Sequence, residues 1–240
     1  MKIGVILPTY QDPDLIALPG VLKTIKTTTG ATAILHYFLP IATVATVKAY
    51  LDIAEGEGFE VSIGIDWIND TPSSGQPQPA VYQTLYGAAE INQHKALKSV
   101  QVLDEPGRHR IPGQTVSDHY RTIRALVPED KRVVTAVSGE LWKYPDNFVP
   151  PWGDIQISTL EWKRTVTGQM FDREGMIALH TSSRTLIRDT SPGIELQTTL
   201  QGWQGGIFYL PPFAEFKEAY DFITGAEMQA LYPISGVYIQ

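Results

Sequence analysis

Cysteine is absent from the 240 residues of this sequence. Its absence excludes thiolate nucleophiles, cysteine-ligated zinc, iron–sulfur clusters and disulfides, and it leaves the redox compartment open. No apolar run approaches the roughly 18 residues of a membrane span, so we expect no transmembrane helix. The apolar segment that begins at Met1 is interrupted by Pro8 and lacks a basic region. It therefore predicts a strand rather than a signal peptide, and nothing in the sequence indicates secretion or another location.

Positive charge and the common catalytic motifs are also scarce. Lys and Arg number 19 against 26 Asp and Glu, a net charge of −7, so a basic face for nucleic acid is not expected. The sequence lacks a His-Glu-x-x-His zinc motif and a Gly-x-Ser-x-Gly nucleophile motif. The glycines of Gly202–Gly206 lack the Lys and Ser or Thr of a phosphate loop. We therefore expect no metal and no cofactor.

The remaining composition is that of an ordinary globular protein. Apolar residues make up 43% of the chain and charged residues 19%. This composition excludes a disordered tail or a fibrous repeat, and the length allows a sizeable core. We expect a single domain over residues 1–240, either complete or within a longer chain.

Eight short runs rich in Val and Ile predict strands of a parallel sheet that is covered on both faces. They are Lys2–Leu7, Thr32–His36, Phe59–Ile65, Ser99–Leu103, Arg132–Val137, Asp154–Leu160, Ile194–Leu200 and Ser235–Ile239. Apolar residues between them recur at helical spacing, as at Val44, Val47 and Leu51. This alternation predicts an α/β protein with a (β/α)8 TIM-type barrel, because the strand count reaches eight. An open doubly wound sheet is the alternative, but no Gly-rich phosphate turn follows the first strand.

Two irregularities interrupt this pattern. The connection Ser138–Gly153 contains three prolines and predicts no full helix, and no eighth helix follows the last strand before Gln240. Either another chain segment covers the flank after strand eight, which would make it a contact with another chain, or this domain is part of something longer.

Local signals predict several helix boundaries and one loop. Thr115 and Asp118 have the spacing of a helix N-terminal cap. Gly30, Gly58 and Gly193 each precede a strand and predict helix ends, because glycine reaches the left-handed conformation cheaply. The segment Asn69–Pro79, rich in proline, glycine and serine, predicts a loop over the catalytic mouth.

The residues that follow the predicted strands are acidic and aromatic. In barrel enzymes the active site forms at the carboxyl ends of the strands. The candidates there are Tyr10, His36, Asp66, Trp67, Asp104, Glu105, Trp142, Glu161, Trp162, Gln201 and Trp203. Flat aromatic faces stack on sugar rings and carboxylates bind hydroxyls, so this rim suits a carbohydrate. The alternatives are core packing for each tryptophan and a hydrogen-bonded core position for His36. Trp152 precedes strand six and is expected at the opposite end of the barrel.

The most specific motif is Val102-Leu103-Asp104-Glu105-Pro106. The stretch from His94 through Pro106, with Tyr120 to Val134, resembles glycoside-hydrolase-like (β/α)8 barrels that carry Asp-Glu-Pro at the end of strand four. Leu210-Pro211-Pro212 and Gly236-Val237-Tyr238 are similar to the closing part of the same barrels. The resemblance implies a fold of this kind, a carbohydrate ligand, and Glu105 as the general acid/base.

The second carboxylate of the resemblance is the open question. The large retaining clan places a nucleophilic glutamate at the end of strand seven, where this chain has Gln201, and Glu195 lies at the start of that strand. Glu161 is the best substitute, and Asp66 and Asp104 are others. We therefore expect an enzyme that hydrolyses glycosidic bonds, which conventionally needs two carboxyl groups. The alternative is an inactive barrel that serves as a glycan-binding or structural assembly module, for example in a cell-surface or virion protein.

Overall fold

The computed structural model describes residues 2–7, 13–65, 79–104, 106, 111–138, 151–160, 173–200 and 213–239. Within these ranges no helix is both long enough and apolar enough to cross a lipid bilayer.

Eight parallel strands form a closed barrel in which each strand pairs with the next along the chain and β8 pairs with β1. Their bounds are β1 Lys2–Leu7, β2 Ala33–Phe38, β3 Glu60–Ile65, β4 Leu97–Asp104, β5 Arg132–Ser138, β6 Ile155–Leu160, β7 Glu195–Leu200 and β8 Ile234–Ile239. The prediction of an α/β protein with parallel strands is confirmed, and every predicted strand overlaps an observed one. Because all strands run the same way, their carboxyl ends meet at one rim.

Helices connect the strands on the outside of the barrel. They are α1 Leu18–Thr29, α2 Val44–Gly56, α3 Pro79–Leu85, α4 Ala89–Asn92, α5 Gly113–Arg124, α6 Arg173–Thr190, α7 Phe213–Thr224 and α8 Ala226–Leu231. Residues 139–150 lie outside the described part, so the expected absence of a full helix between β5 and β6 remains a prediction. Of the predicted loop Asn69–Pro79, the structure describes only Pro79, which begins α3.

Side chains of β2 alternate between two apolar layers. His36 and Phe38 pack on Tyr50 of α2, with ring centroids 4.5 and 5.3 Å from it, so this face of the strand points toward the helices. The other face points into the barrel, where a smaller apolar cluster forms from Ile6, Ala33, Leu35 and Val134. The larger cluster lies between strands and helices and supplies most of the buried apolar surface.

Short-range signals explain several helix ends. The Thr43 hydroxyl accepts a hydrogen bond from Thr46 N–H at 3.1 Å and caps the start of α2. Gly30 and Gly58 have φ values of 69° and 75°, as predicted for residues that end a helix in the left-handed region. Gly193 is not among the described glycines with positive φ, so the same prediction was wrong there.

The predicted cap at Thr115 and Asp118 was also wrong. Helix α5 begins two residues earlier at Gly113, and Pro112 O accepts from Val116 N–H at 3.2 Å. Proline fixes φ near the helical value and lacks an N–H, so the chain can enter the helix directly after it. Asp118 instead accepts a hydrogen bond from Arg121 of the same helix at 3.0 Å.

A fully buried arginine joins α6 to the ends of α7 and α8. Arg184 is 0% exposed, and its guanidinium donates to the carbonyl oxygens of Ile223, Met228 and Tyr232. Ile223 lies in the last turn of α7, and Met228 and Tyr232 lie in and directly after α8. The guanidinium therefore sits at the carbonyl ends of two helices, which carry the negative end of the helix dipole. Burial lowers the pKa of Arg184 to about 10, so the side chain stays charged at neutral pH.

We expect Arg184→Met to lower the free energy of unfolding by about 3–5 kcal/mol, because it leaves three buried carbonyl groups without their charged donor. The measurement is urea denaturation followed by circular dichroism. Arg188→Met is the matched control, since Arg188 lies one helical turn later and its exposed side chain pairs with exposed Asp189. An equal loss in both variants would contradict the role given to Arg184.

Candidate functional site

The barrel rim at the carboxyl ends of the strands is the expected place for a site. In the chain, Asp66 follows the last residue of β3, Glu105 follows β4, Glu161 follows β6 and Gln201 follows β7. The predicted strand ends were correct to the residue for β1, β3, β6, β7 and β8. Most of the site residues themselves lie outside the described part of the chain: Tyr10, Asp66, Trp67, Glu105, Trp142, Glu161, Trp162, Gln201 and Trp203. Their roles remain predictions.

The acidic motif begins inside β4. Asp104 is the last residue of this strand, and its backbone is in register with Ala136 of β5. Pro106, two residues later, is buried, and its carbonyl accepts a hydrogen bond from Ile111 N–H at 2.9 Å. The chain is therefore anchored on both sides of Glu105.

His36 does not lie at the rim, which corrects its assignment as a substrate-binding residue. It is 1% exposed and stacks on Tyr50, with an interplanar angle of 27°, in the layer between β2 and α2. Burial lowers the pKa of His36 to about 4, although a hydrogen bond to the Leu7 backbone opposes this shift. The ring is therefore neutral at pH 7 and occupies a core position, which is the alternative that the sequence left open.

Where β3 and β4 meet, the barrel interior carries polar side chains beside the smaller apolar cluster. Ser99 donates to Ser62 Oγ at 2.6 Å, and both residues are buried. A Cβ atom at Gly64 would lie 2.7 Å from Gln101 Oε1 and 2.8 Å from the Tyr37 ring. Glycine at this position therefore leaves room for both larger side chains.

None of these interior residues was among the candidates at the strand ends. The available signal was the alternation of Ser62 and Gly64 with apolar Val61, Ile63 and Ile65 along β3. Such alternation separates the barrel face from the helix face of a strand. The small residues on the barrel face indicate that larger side chains from neighbouring strands fill the space.

The opposite end of the barrel carries structural polar contacts. Glu195 is the first residue of β7 and therefore lies at the end of the strand opposite the rim. It accepts hydrogen bonds from Ser235 and Gln197. Trp152 is 1% exposed, and two residues later Asp154 N–H donates to Val133 O near the start of β5, so the segment that enters β6 lies at this end, as expected. A groove of about 290 Å³ lies here between the starts of β7 and β8, lined by Pro192, Ile194, Glu195, Leu196, Tyr232, Pro233, Ile234 and Ser235. In barrel folds this face serves stability rather than chemistry.

Among the described residues, no group of three His, Asp or Glu side chains is arranged to hold a metal ion. His94 is part of an ion-pair cluster instead: its Nε2 lies 3.0 Å from Asp52 and 3.7 Å from Glu55. His94 Nδ1 accepts from Ala96 N–H at 3.2 Å, which leaves the Nε2–H to donate to Asp52. This contact ties α2 to the loop before β4.

No family model matches the sequence, and no curated protein matches it either. Solved structures do match. A β-glucuronidase from Ruminococcus gnavus in complex with a C6-substituted uronic isofagomine superposes with a TM-score of 0.65 at 11% identity. That match covers 99% of this chain and 42% of the glucuronidase, so the chain spans less than half of that protein.

Two further solved structures are also similar to the chain. An exo-β-1,4-mannosidase from Opitutaceae bacterium strain TAV5 gives a TM-score of 0.66 at 12% identity, covering 100% of this chain and 51% of that one. A GH5_18 protein from Streptomyces cattleya in complex with GlcNAc gives 0.64 at 16% identity, covering 99% and 70% respectively. At these identities the likeness concerns the fold alone. The chain thus has an α/β fold with parallel strands that is similar to the TIM-barrel fold of glycoside hydrolases.

Proposed function

We propose that this chain is a carbohydrate-active (β/α)8 barrel of the TIM type that hydrolyses glycosidic bonds by carboxylate acid/base catalysis. The observation that carries the proposal is the end of β4. The strand closes on Asp104 at the rim where barrel enzymes place their catalytic residues, and a second carboxylate, Glu105, follows directly. The fold likeness to solved glycoside hydrolases supports it.

Glu105 is the general acid/base in this proposal and protonates the leaving glycosidic oxygen. Its partner is Glu161, Asp66 or Asp104. A partner carboxyl about 5–5.5 Å away acts as a nucleophile with retention, and one about 6.5–9.5 Å away activates water with inversion. Aromatic side chains after other strands, with Gln201, line the sugar subsites: Tyr10, Trp67, Trp142, Trp162 and Trp203.

A second candidate is a barrel without catalysis that binds a glycan or forms part of an assembly. The feature that favours it is Gln201 directly after β7. The resemblance places a nucleophilic glutamate there, and a neutral amide cannot replace a carboxylate as nucleophile. In this reading the flank beside β8 contacts another chain, as in a cell-surface or virion protein.

The experiment that separates the two candidates combines turnover with binding. Purified protein is incubated with a panel of aryl glycosides and oligosaccharides covering common sugars and both anomers, and is applied in parallel to a glycan array. Release of reducing sugar supports the hydrolase. Binding on the array without turnover supports the second candidate, and the absence of both contradicts the carbohydrate proposal. The anomer first released, read by NMR, distinguishes retention from inversion.

A further inference from the structure

The end of β4 contains a bulge directly before the acidic motif. Gln101 pairs with Val134 of β5, but the next recorded pair joins Asp104 to Ala136, so β4 carries one residue more than β5 in this interval. Val102 and Leu103 are consecutive, yet both are buried in the cluster between strands and helices. Consecutive residues of a regular strand point to opposite faces of the sheet. The extra residue therefore reverses the face that each later residue of β4 occupies.

The same part of β4 also separates from its other neighbour. Within the described residues, β4 pairs with β3 only as far as Val100, opposite Ile63, although β3 continues to Ile65. Backbone carbonyls beyond this point therefore need other hydrogen-bond donors, because buried carbonyls are rarely left unpaired.

Side chains supply these donors at three consecutive residues. The Tyr86 hydroxyl donates to Gln101 O at 3.0 Å and the Tyr82 hydroxyl donates to Val102 O at 2.9 Å. The amide of Gln101 donates to Leu103 O at 3.2 Å. The tyrosines come from α3 and the residue after it, so the helix following β3 holds the end of β4.

We propose that Tyr82 and Tyr86 are positioning residues whose hydroxyl groups hold the bulge of β4 and thereby set the register at which Asp104, and Glu105 after it, reach the barrel rim. The catalytic consequence rests on the proposed function, whereas the structural consequence does not.

Both tyrosines are fixed well enough to do this. They are 0% exposed, and their rings stack with centroids 5.6 Å apart. Burial raises the pKa of each hydroxyl, so both keep their proton at ordinary pH. His119 Nδ1 lies 3.1 Å from the Tyr82 oxygen; because the Tyr82 proton goes to Val102 O, this ring nitrogen is the donor. Asn92 donates to Tyr86 O at 3.1 Å and holds its backbone.

The test removes the hydroxyl groups and keeps the rings, in Tyr82→Phe, Tyr86→Phe and the double variant. Tyr50→Phe is the matched control, because the Tyr50 hydroxyl is equally buried but has no hydrogen-bond partner among the described atoms. Hydrogen–deuterium exchange is measured on a peptide spanning residues 97–106, with the β2 peptide spanning 33–38 as an internal reference. A crystal structure of the double variant reports the register directly.

We expect the double variant to exchange about tenfold faster in the β4 peptide only, with Tyr50→Phe unchanged. Unchanged exchange with the Asp104 and Ala136 register retained, or equal acceleration in both peptides, would overturn the proposal.

On a substrate that the wild type hydrolyses, we expect kcat to fall about tenfold with KM within about twofold. Full kcat in a variant whose β4 has shifted overturns the positioning role. If the wild type hydrolyses nothing, the proposed function fails, and exchange and register still decide whether the tyrosines hold the bulge.

Discussion

Glu105→Gln is expected to lower kcat/KM by about 10²–10⁴-fold on natural glycosides while leaving the fold intact. Glutamine has nearly the shape of glutamate but cannot donate a proton to the leaving oxygen. The loss should be far smaller on dinitrophenyl glycosides, because their leaving group departs without protonation. A loss of equal size on both substrate types would assign Glu105 to the nucleophile or to substrate binding instead of acid catalysis.

Glu195→Gln is the matched control for this experiment. Glu195 is a carboxylate of the same barrel, but it begins β7 at the opposite end and is engaged by Ser235 and Gln197. The activity of this variant should equal that of the wild type.

The partner carboxylate is identified by three single variants: Glu161→Gln, Asp66→Asn and Asp104→Asn. Replacing the partner should lower the activity on both substrate types. Wild-type activity in Glu105→Gln would remove that residue from catalysis.

Acid is expected to destabilise the protein through two buried histidines. Burial lowers the pKa of His36 to about 4, and burial with the nearby charge of Arg184 lowers that of His180 to about 3. In the unfolded chain both rings titrate near 6.5. Between pH 6.5 and 4 the unfolded state therefore binds more protons, and stability falls as the pH falls. Linkage gives a loss of about 3 kcal/mol for each ring over this interval.

The measurement is the free energy of unfolding in urea at several pH values between 7.5 and 4. The variants His36→Leu and His180→Leu remove one titrating ring each. The carboxylates contribute equally to the pH dependence of the variants and the wild type, so the difference between them reports the removed ring. Each variant should show a pH dependence shallower by about 1.4 kcal/mol per pH unit. Curves parallel to that of the wild type would show that these rings do not control the acid response.

The strand pattern of this protein was readable because each strand is short, apolar and separated from the next by a helical period. Burial of both faces makes a parallel strand a nearly continuous apolar run, as in Ala33–Phe38. The place of the site followed from the same pattern, since parallel strands end at one rim. The start of α5 was predicted two residues too late. A helix can begin directly after Pro112 or at a cap on Thr115, and local spacing does not decide between the two starts.

What the sequence by itself determined is the α/β class, the eight strands and the acidic residues at the end of β4. Only the tertiary structure decided that His36 faces α2, because a strand end alone does not say which face a side chain takes. The structure also decided the bulge in β4 and the role of Arg184, since both depend on donors and acceptors far apart in the chain. Tyr82 with Val102, and Arg184 with Tyr232, are 20 and 48 residues apart, and no local pattern encodes such pairs.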